Sequence, residues 1–321
     1  MRLIGQQPLV LCLLLMAAAS ADAASVAETR ALLEGRDARA PAAVAALMRT
    51  EPGNAEVRLL QVRLLLQQGK AKAAIDVAES AVALAPGNAQ THYWLGNAHG
   101  SRIGQVGMVS KLALAPKLRD AYERAVVLDP NLLDARANLL QFYLMAPSAI
   151  GGGIDKARAQ AAEIGKRDVA RGHVARAQIL MSEKKPALAL QSYEAAHAAK
   201  PADAPIRMAL GIGYQTAEQW DKAYAHFDRW TQQDARAGGA WYQLGRTGAL
   251  SGRFLPASVV ALERFLSLPV DPANPERKHA YLRLGQVHAL AGNKDRARTA
   301  LQAALKLDPK MADAKAALGK L

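Results

Sequence analysis

The residues of this 321-residue chain that could do chemistry are seven histidines, a run of three glycines, and scattered hydroxyls and acids. The histidines are His92, His99, His173, His197, His226, His279 and His288. A helical zinc site wants two imidazoles four residues apart, because that spacing puts both on one face, and a metalloprotease adds a glutamate after the first. No pair has that spacing. His92 and His99 stand seven apart and could share a face, but we read the histidines as packing residues. No G-x-S-x-G elbow or Ser-His-Asp grouping is recognisable, although a triad can be dispersed along a chain.

The glycines lie in "APSAIGGGIDKA", residues 146–157, with Gly151, Gly152 and Gly153 leading into a helix-like stretch. A phosphate-binding loop needs a strand before it and a Gly-Lys-Ser/Thr step opening the helix, so that backbone N–H groups and the lysine converge on the phosphates. Here the preceding "ARANLLQFYLMA" has helical apolar spacing, and Asp155 at the helix start would repel an anion. The glycines therefore read as an elongated turn between two helices, with a partner-contacting loop as the second reading and a phosphate site as the third.

What positions these residues is a repeat. "AVALAPGN" (81–88), "AVVLDPNL" (125–132) and "ALKLDPKM" (304–311) each end a helix at a proline. Pro52 and Pro86 are 34 residues apart. Alanines recur at fixed offsets before the prolines: Ala74, Ala189 and Ala297, then Ala81, Ala196 and Ala304. The first helix of each period carries a Leu-Gly step, in "YWLGNAH", "MALGIGY", "WYQLGRT" and "YLRLGQVHALAG". Small residues at these positions let helices approach closely, while each hairpin has an apolar face that only a neighbour can cover.

With Leu210, Gly211, Tyr214, Ala223 and Phe227 in register in residues 204–237, the chain resembles the tetratricopeptide-repeat family over nearly all of its length. The resemblance implies an all-α fold: a right-handed α-solenoid of about seven to eight helical hairpins. The units are 55–88, 89–132, 133–169, 170–203, 204–237, 238–277 and 278–311, with a degenerate unit at 24–54 and a capping helix at 312–321. Leu47 stands where later units have their second alanine. Tyr122, Tyr193 and Phe227 share one offset in the second helix and read as interhelical core, and His99 and His288 occupy a place usually held by tyrosine.

The family's geometry also implies a concave groove lined by Leu59, Arg63, Tyr93, Asn97, Gln141, Gln178, Met208, Ile212, Tyr242, Arg246, Leu282 and Gln286. Amides there can hydrogen-bond a peptide backbone, and apolar groups can bury its side chains. Members that clamp a C-terminal carboxylate use a lysine and an asparagine in one unit. Asn97 is present, but Tyr93 holds the lysine's place.

The period breaks three times. Pro86 and Pro130 are 44 residues apart, so about ten extra residues fall in or near "GSRIGQVGMVSK"; the third unit gains length at "MAPSAIGGG", and the sixth adds "VDPANPERK". Such breaks are candidate partner-binding loops.

The chain opens with one arginine, an apolar run from Pro8 to Ala19, and Ala21 and Ala23 in A-x-A spacing. This reads as a secretory signal cleaved after Ala23 or Ala21, the apolar run being short for a membrane span. Cys12, the single cysteine, follows Leu11 rather than the small residue that lipoprotein processing wants, so a mature chain would carry no thiol. The net charge of +13 suits anionic partners, but the basic residues are scattered without an aromatic-interleaved stripe, which argues against nucleic acid.

The reading is thus an exported scaffold, periplasmic or secreted, without cofactor or metal, that binds a protein or peptide partner in its groove. The alternatives are an accessory protein holding an anionic envelope polymer, and an enzyme with a dispersed site near Gly151–Gly153.

Overall fold

The computed structural model describes residues 24–271 and 273–321, and the proposed signal segment lies outside them. Among the described residues there are seventeen α-helices, one short 3-10 turn at Ser148–Ile150, and no strand. By its contacts the chain divides into two units, one ending at Pro130 and one beginning at Asn131.

The first unit pairs α1 (Val26–Glu34) with α2 (Ala40–Thr50), α3 (Ala55–Gln67) with α4 (Ala71–Leu84), and α5 (Ala89–Ile103) with α6 (Met108–Leu128). The second pairs α7 (Leu133–Met145) with α8 (Ile154–Arg167), α9 (Val169–Ser182) with α10 (Pro186–Ala199), α11 (Ala204–Thr216) with α12 (Trp220–Gln233), α13 (Gly238–Ser251) with α14 (Leu255–Ser267), and α15 (Arg277–Leu290) with α16 (Lys294–Leu307). The short α17 (Ala312–Leu318) lies on α15 and α16 and covers Leu282, Leu301 and Met311.

The two helices of a hairpin start differently. Several first helices are opened by a side-chain cap: Asn54 accepts from the N–H of Glu56, Asn88 from that of Gln90, Asp168 from that of Arg171 and Asp203 from that of Ile206. Several second helices follow tight turns through one left-handed residue, which is Gly69 in one hairpin and Gly292 in another.

The core follows the Leu-Gly step. A Cβ placed on Gly96 would lie 2.5 Å from the ring of Tyr122; on Gly211, 2.2 Å from Phe227; on Gly245, 2.3 Å from Leu262; on Gly285, 2.6 Å from Leu301. The bare glycine is thus the seat of one large side chain from the second helix. The repeating alanines Ala74, Ala81, Ala189, Ala196, Ala297 and Ala304 are all fully buried, where helices touch. Leu47, in the degenerate hairpin, instead fills its own cluster with Leu33, Val44, Val57 and Leu60.

The extra residues of the third hairpin are mostly helix rather than loop. The second helix α4 has 14 residues and α6 has 21. The added turns lead outward, with Met108 71% and Val109 84% exposed, and Pro116 sits within the helix.

His99 and His288 are buried, as their place in the repeat implies. Burial pushes both imidazoles below their ordinary value, aided by Lys117 at His99 and by Arg296 at His288, where Glu263 opposes the shift. A depressed value means that the unfolded chain binds the proton more readily than the folded one. Stability is therefore full above the unfolded histidine value near 6.5 and falls as pH drops below it. The thermal midpoint should decline from pH 7 to pH 5.5, and His99→Tyr, which copies the residue at Tyr214, should flatten that decline in a series of melts across this range.

Candidate functional site

In the second unit the first helices α7, α9 and α11 border a groove of about 430 Å³. Its floor is apolar, from Ala137 on α7, Val174 on α9 and Ile206 on α11, with Ile164 from α8; Gln178 brings an amide to it. Its charges are paired among themselves. Asp168 caps α9 and accepts from Lys200 Nζ at 2.6 Å, and Arg171 pairs with Asp134. Burial raises the Asp168 carboxyl, but the Lys200 ammonium and the Arg171 N–H outweigh it and hold the group below its ordinary value. What remains for a ligand is an amide over an apolar floor.

Further along, α11, α13 and α15 contribute a second polar cluster. Arg246 Nη1 donates to Gln215 Oε1, and Gln215 Nε2 donates to the Gln243 carbonyl at 3.0 Å and to Thr247 Oγ1 at 2.9 Å. Arg283 Nη1 donates to Gln286 Oε1 at 2.9 Å, while its Nε is buried with no partner. Burial, reinforced by the charge of Arg283, pushes the Arg246 guanidinium below its usual value. Among the described residues neither arginine forms an ion pair with a carboxylate. Two like charges held together without an acid make a place where an anion would be stabilised.

The residues expected to line a groove fare unevenly. Gln178 lines the cavity, Arg246 and Gln286 belong to the arginine cluster, and Gln141 and Ile212 are half-buried. Met208 is half-buried too, but it packs against the core of Phe227, Trp230 and Leu244. Three positions need correction: Tyr242 is 7% exposed and packs edge-on to Phe265 at 5.6 Å, while Leu59 and Leu282 are also buried. The rule that assigned them to the groove counts helix positions; here Tyr242 turns onto Phe265 and Leu282 onto Leu301 of the neighbouring helices.

In the first unit Arg63, Tyr93 and Asn97 join one cluster but are occupied by it. Arg63 pairs with Glu34 at 3.1 Å and lies over the Trp94 ring at 5.3 Å; Tyr93 packs on Trp94 and Tyr122. Asn97 Oδ1 accepts from the Tyr122 hydroxyl at 2.7 Å, so that oxygen is committed to the hairpin rather than offered to a peptide.

The glycine turn is closed on itself. Gly151 N–H donates to the Ser148 carbonyl, Gly152 N–H to that of Pro147 and Gly153 N–H to that of Tyr143, at 2.9, 3.1 and 2.9 Å. Lys156 Nζ donates to the Gly151 carbonyl at 3.1 Å. With its three N–H groups spent internally, the turn offers no phosphate cradle. Gly151 and Gly153 have φ of 97° and 154°, but Gly152 does not have a positive φ; it is required because a Cβ there would meet the Ala146 carbonyl oxygen at 1.8 Å.

Sequence reasoning missed Arg283, Gln215 and Gln243. Gln215 and Gln243 are buried polar residues on first helices, and a glutamine directly after Tyr214 on an apolar face is the one signal that could have marked the first of them. Among the described residues no cluster of three or more metal-ligating side chains exists, and no helix is long and apolar enough to cross a membrane.

Tetratricopeptide-repeat profiles match residues 279–311 and, in two overlapping placements, 17–89 and 59–99. No curated protein matches the sequence. Among solved structures, the chain is similar to one in the APC/C hetero-tetramer Cut9–Hcn1, with TM-score 0.54 and 17% identity over 92% of this chain. It spans 55% of that chain's length. It is also similar to a tetratricopeptide repeat protein from Parabacteroides merdae, with TM-score 0.53 and 13% identity over 83% of this chain and 97% of the other. At such identities the likeness is one of fold.

Proposed function

Since the chain is a tetratricopeptide-repeat protein, an all-α solenoid of stacked helical hairpins, we propose that it is a non-catalytic scaffold that binds a protein or peptide segment on the first helices of its second unit. The observation that carries this reading is the pair Arg246 and Arg283, half-buried, close enough that the charge of Arg283 adds to burial in lowering Arg246, and without an ion-paired acid among the described residues. Apolar side chains of an extended segment would fill the groove beside Gln178, and a carboxylate of the same segment would meet the arginines. Guanidinium forks match carboxylates in two parallel hydrogen bonds, which fixes orientation as well as charge.

The apolar amino-terminal run ending in A-x-A supports a place in the periplasm or outside the cell, where the scaffold would serve envelope assembly or secretion. The test is capture. Protein spanning residues 24–321, immobilised and washed with envelope extract at moderate salt, should retain a discrete protein. Arg246→Ala should weaken that retention about tenfold or more, the scale of a buried arginine hot spot, with helicity and melting nearly unchanged. Retention of anionic polymer alone, released by salt, would replace this reading with the polymer-holding alternative.

A further inference from the structure

Between α10, α11 and α12 lies a cavity of about 380 Å³ that shares no residue with the groove. Four of its lining side chains can be cationic: His197 in the last turn of α10, Arg207 on α11, and His226 and Arg229 on α12. The two imidazoles meet edge to face at 5.6 Å. His226 Nε2 lies 2.9 Å from the Arg207 carbonyl, an acceptor only, so Nε2 carries the proton and donates, and Nδ1 is where a second proton would go. His197 Nδ1 is buried with no hydrogen-bond partner. Arg207 lies over the Trp230 ring at 4.4 Å and donates to Gln233 Oε1 at 2.7 Å, so its guanidinium is already in place.

Among the described residues no acid forms an ion pair with this cluster. On α10, Glu194 accepts from the Tyr214 hydroxyl at 3.1 Å and faces Lys222 at 4.0 Å. Past the end of α12, Asp234 acts on Arg207 without forming an ion pair with it, and Tyr214 of α11 packs on His226 at 6.1 Å. Burial, with the charge of Arg207 and at His226 also those of His197 and Arg229, keeps both imidazoles below their ordinary value, while the bond to the Arg207 carbonyl opposes the shift at His226. A buried imidazole nitrogen without a partner, beside the anchored Arg207 guanidinium and within one cavity with Arg229, is what a bound oxyanion would complete once that nitrogen carries a proton.

We propose that this cavity binds a phosphate-class oxyanion, gripped by Arg207 and Arg229 and by His197 and His226 in their protonated forms. A metal ion is the wrong sign for a pocket with two arginines. A dianion matches two guanidiniums and draws protons onto both imidazoles, so an occupied cavity holds those protons to higher pH than an empty one. The anion and the histidine protons stabilise one another reciprocally.

Imidazole titrations followed by NMR test this directly, with inorganic phosphate as the probe and His99 and His288 as internal references. Saturating phosphate should raise the titration midpoints of His197 and His226 by about one pH unit, equivalent to tenfold tighter binding by the protonated form, and leave those of His99 and His288 in place. Arg229→Gln, at an exposed position, should abolish the rise without loss of fold. Equal shifts at all four histidines, no shift at any, or an unchanged rise in Arg229→Gln would each overturn the proposal. Glycerol phosphate and vesicles carrying phosphatidate, as parallel arms, sort the source: a rise with phosphate only assigns a free anion, one that extends to glycerol phosphate a soluble monoester, and one seen also with vesicles a lipid headgroup.

Discussion

Replacing Phe227 by alanine should remove about 3–5 kcal/mol of stability, the range for deleting a buried aromatic ring. Phe227 has no exposed surface and fills the seat left by Gly211, against Trp230, Ala240 and Leu244. The change empties a space that rigid helices on both sides can only partly close. Gly211→Ala attacks the same contact from the other side, by overpacking, at about 1–3 kcal/mol. The two routes differ in their remedy. Gly211→Ala combined with Phe227→Leu should be less destabilised than the separate losses added together, because the smaller side chain vacates the position that the new methyl occupies. Urea melts of the four proteins measure this coupling. Strict additivity would mean that ring and glycine do not share a contact.

A comparable loss is expected from Gly152→Ala, for a reason the neighbouring glycine lacks. Its Cβ would fall 1.8 Å from the Ala146 carbonyl oxygen, and this is backbone, with no rotamer to escape into. The turn would have to open, breaking the N–H bonds of Gly152 and Gly153 to Pro147 and Tyr143. We expect at least the upper end of the overpacking range, about 3 kcal/mol. Gly153→Ala meets open space and is strained only through its φ of 154°, at about 1–3 kcal/mol. Thermal melts should therefore order wild type above Gly153→Ala above Gly152→Ala. The reverse order would mean that conformation, not close approach, decides this turn.

These two sites show what was legible in the sequence. Gly211 and Phe227 stand at fixed offsets in a period of 34, and a repeat exposes its packing because each hairpin solves the same steric problem. Gly152 belongs to no period; three glycines in a row signalled a turn but not which of them the chain crowds. The groove was legible by position and misread by side chain: Gln178 reaches it, whereas Tyr242 swings into the core, since a one-residue rotation of a helix moves a side chain by about 100°. Arg283 escaped because it sits between Leu282 and Leu284, where an apolar pattern hides a charge that matters only beside Arg246. The lengthened third hairpin appeared as inserted loop because glycines bracket it, yet Met108–Leu112 continue as helix.

That lengthened helix bears on how freely such a chain can be edited. Seven residues separate the length of α6 from that of α4, close to two whole turns, and they enter at the hairpin's tip, away from the buried Ala121, Tyr122 and Ala125. Length added there leaves the stacking register untouched. The tip before Met108 is accordingly a graft site, where an epitope or a spectroscopic reporter could be spliced between Gln105 and Gly107 and read out without disturbing either helix below it.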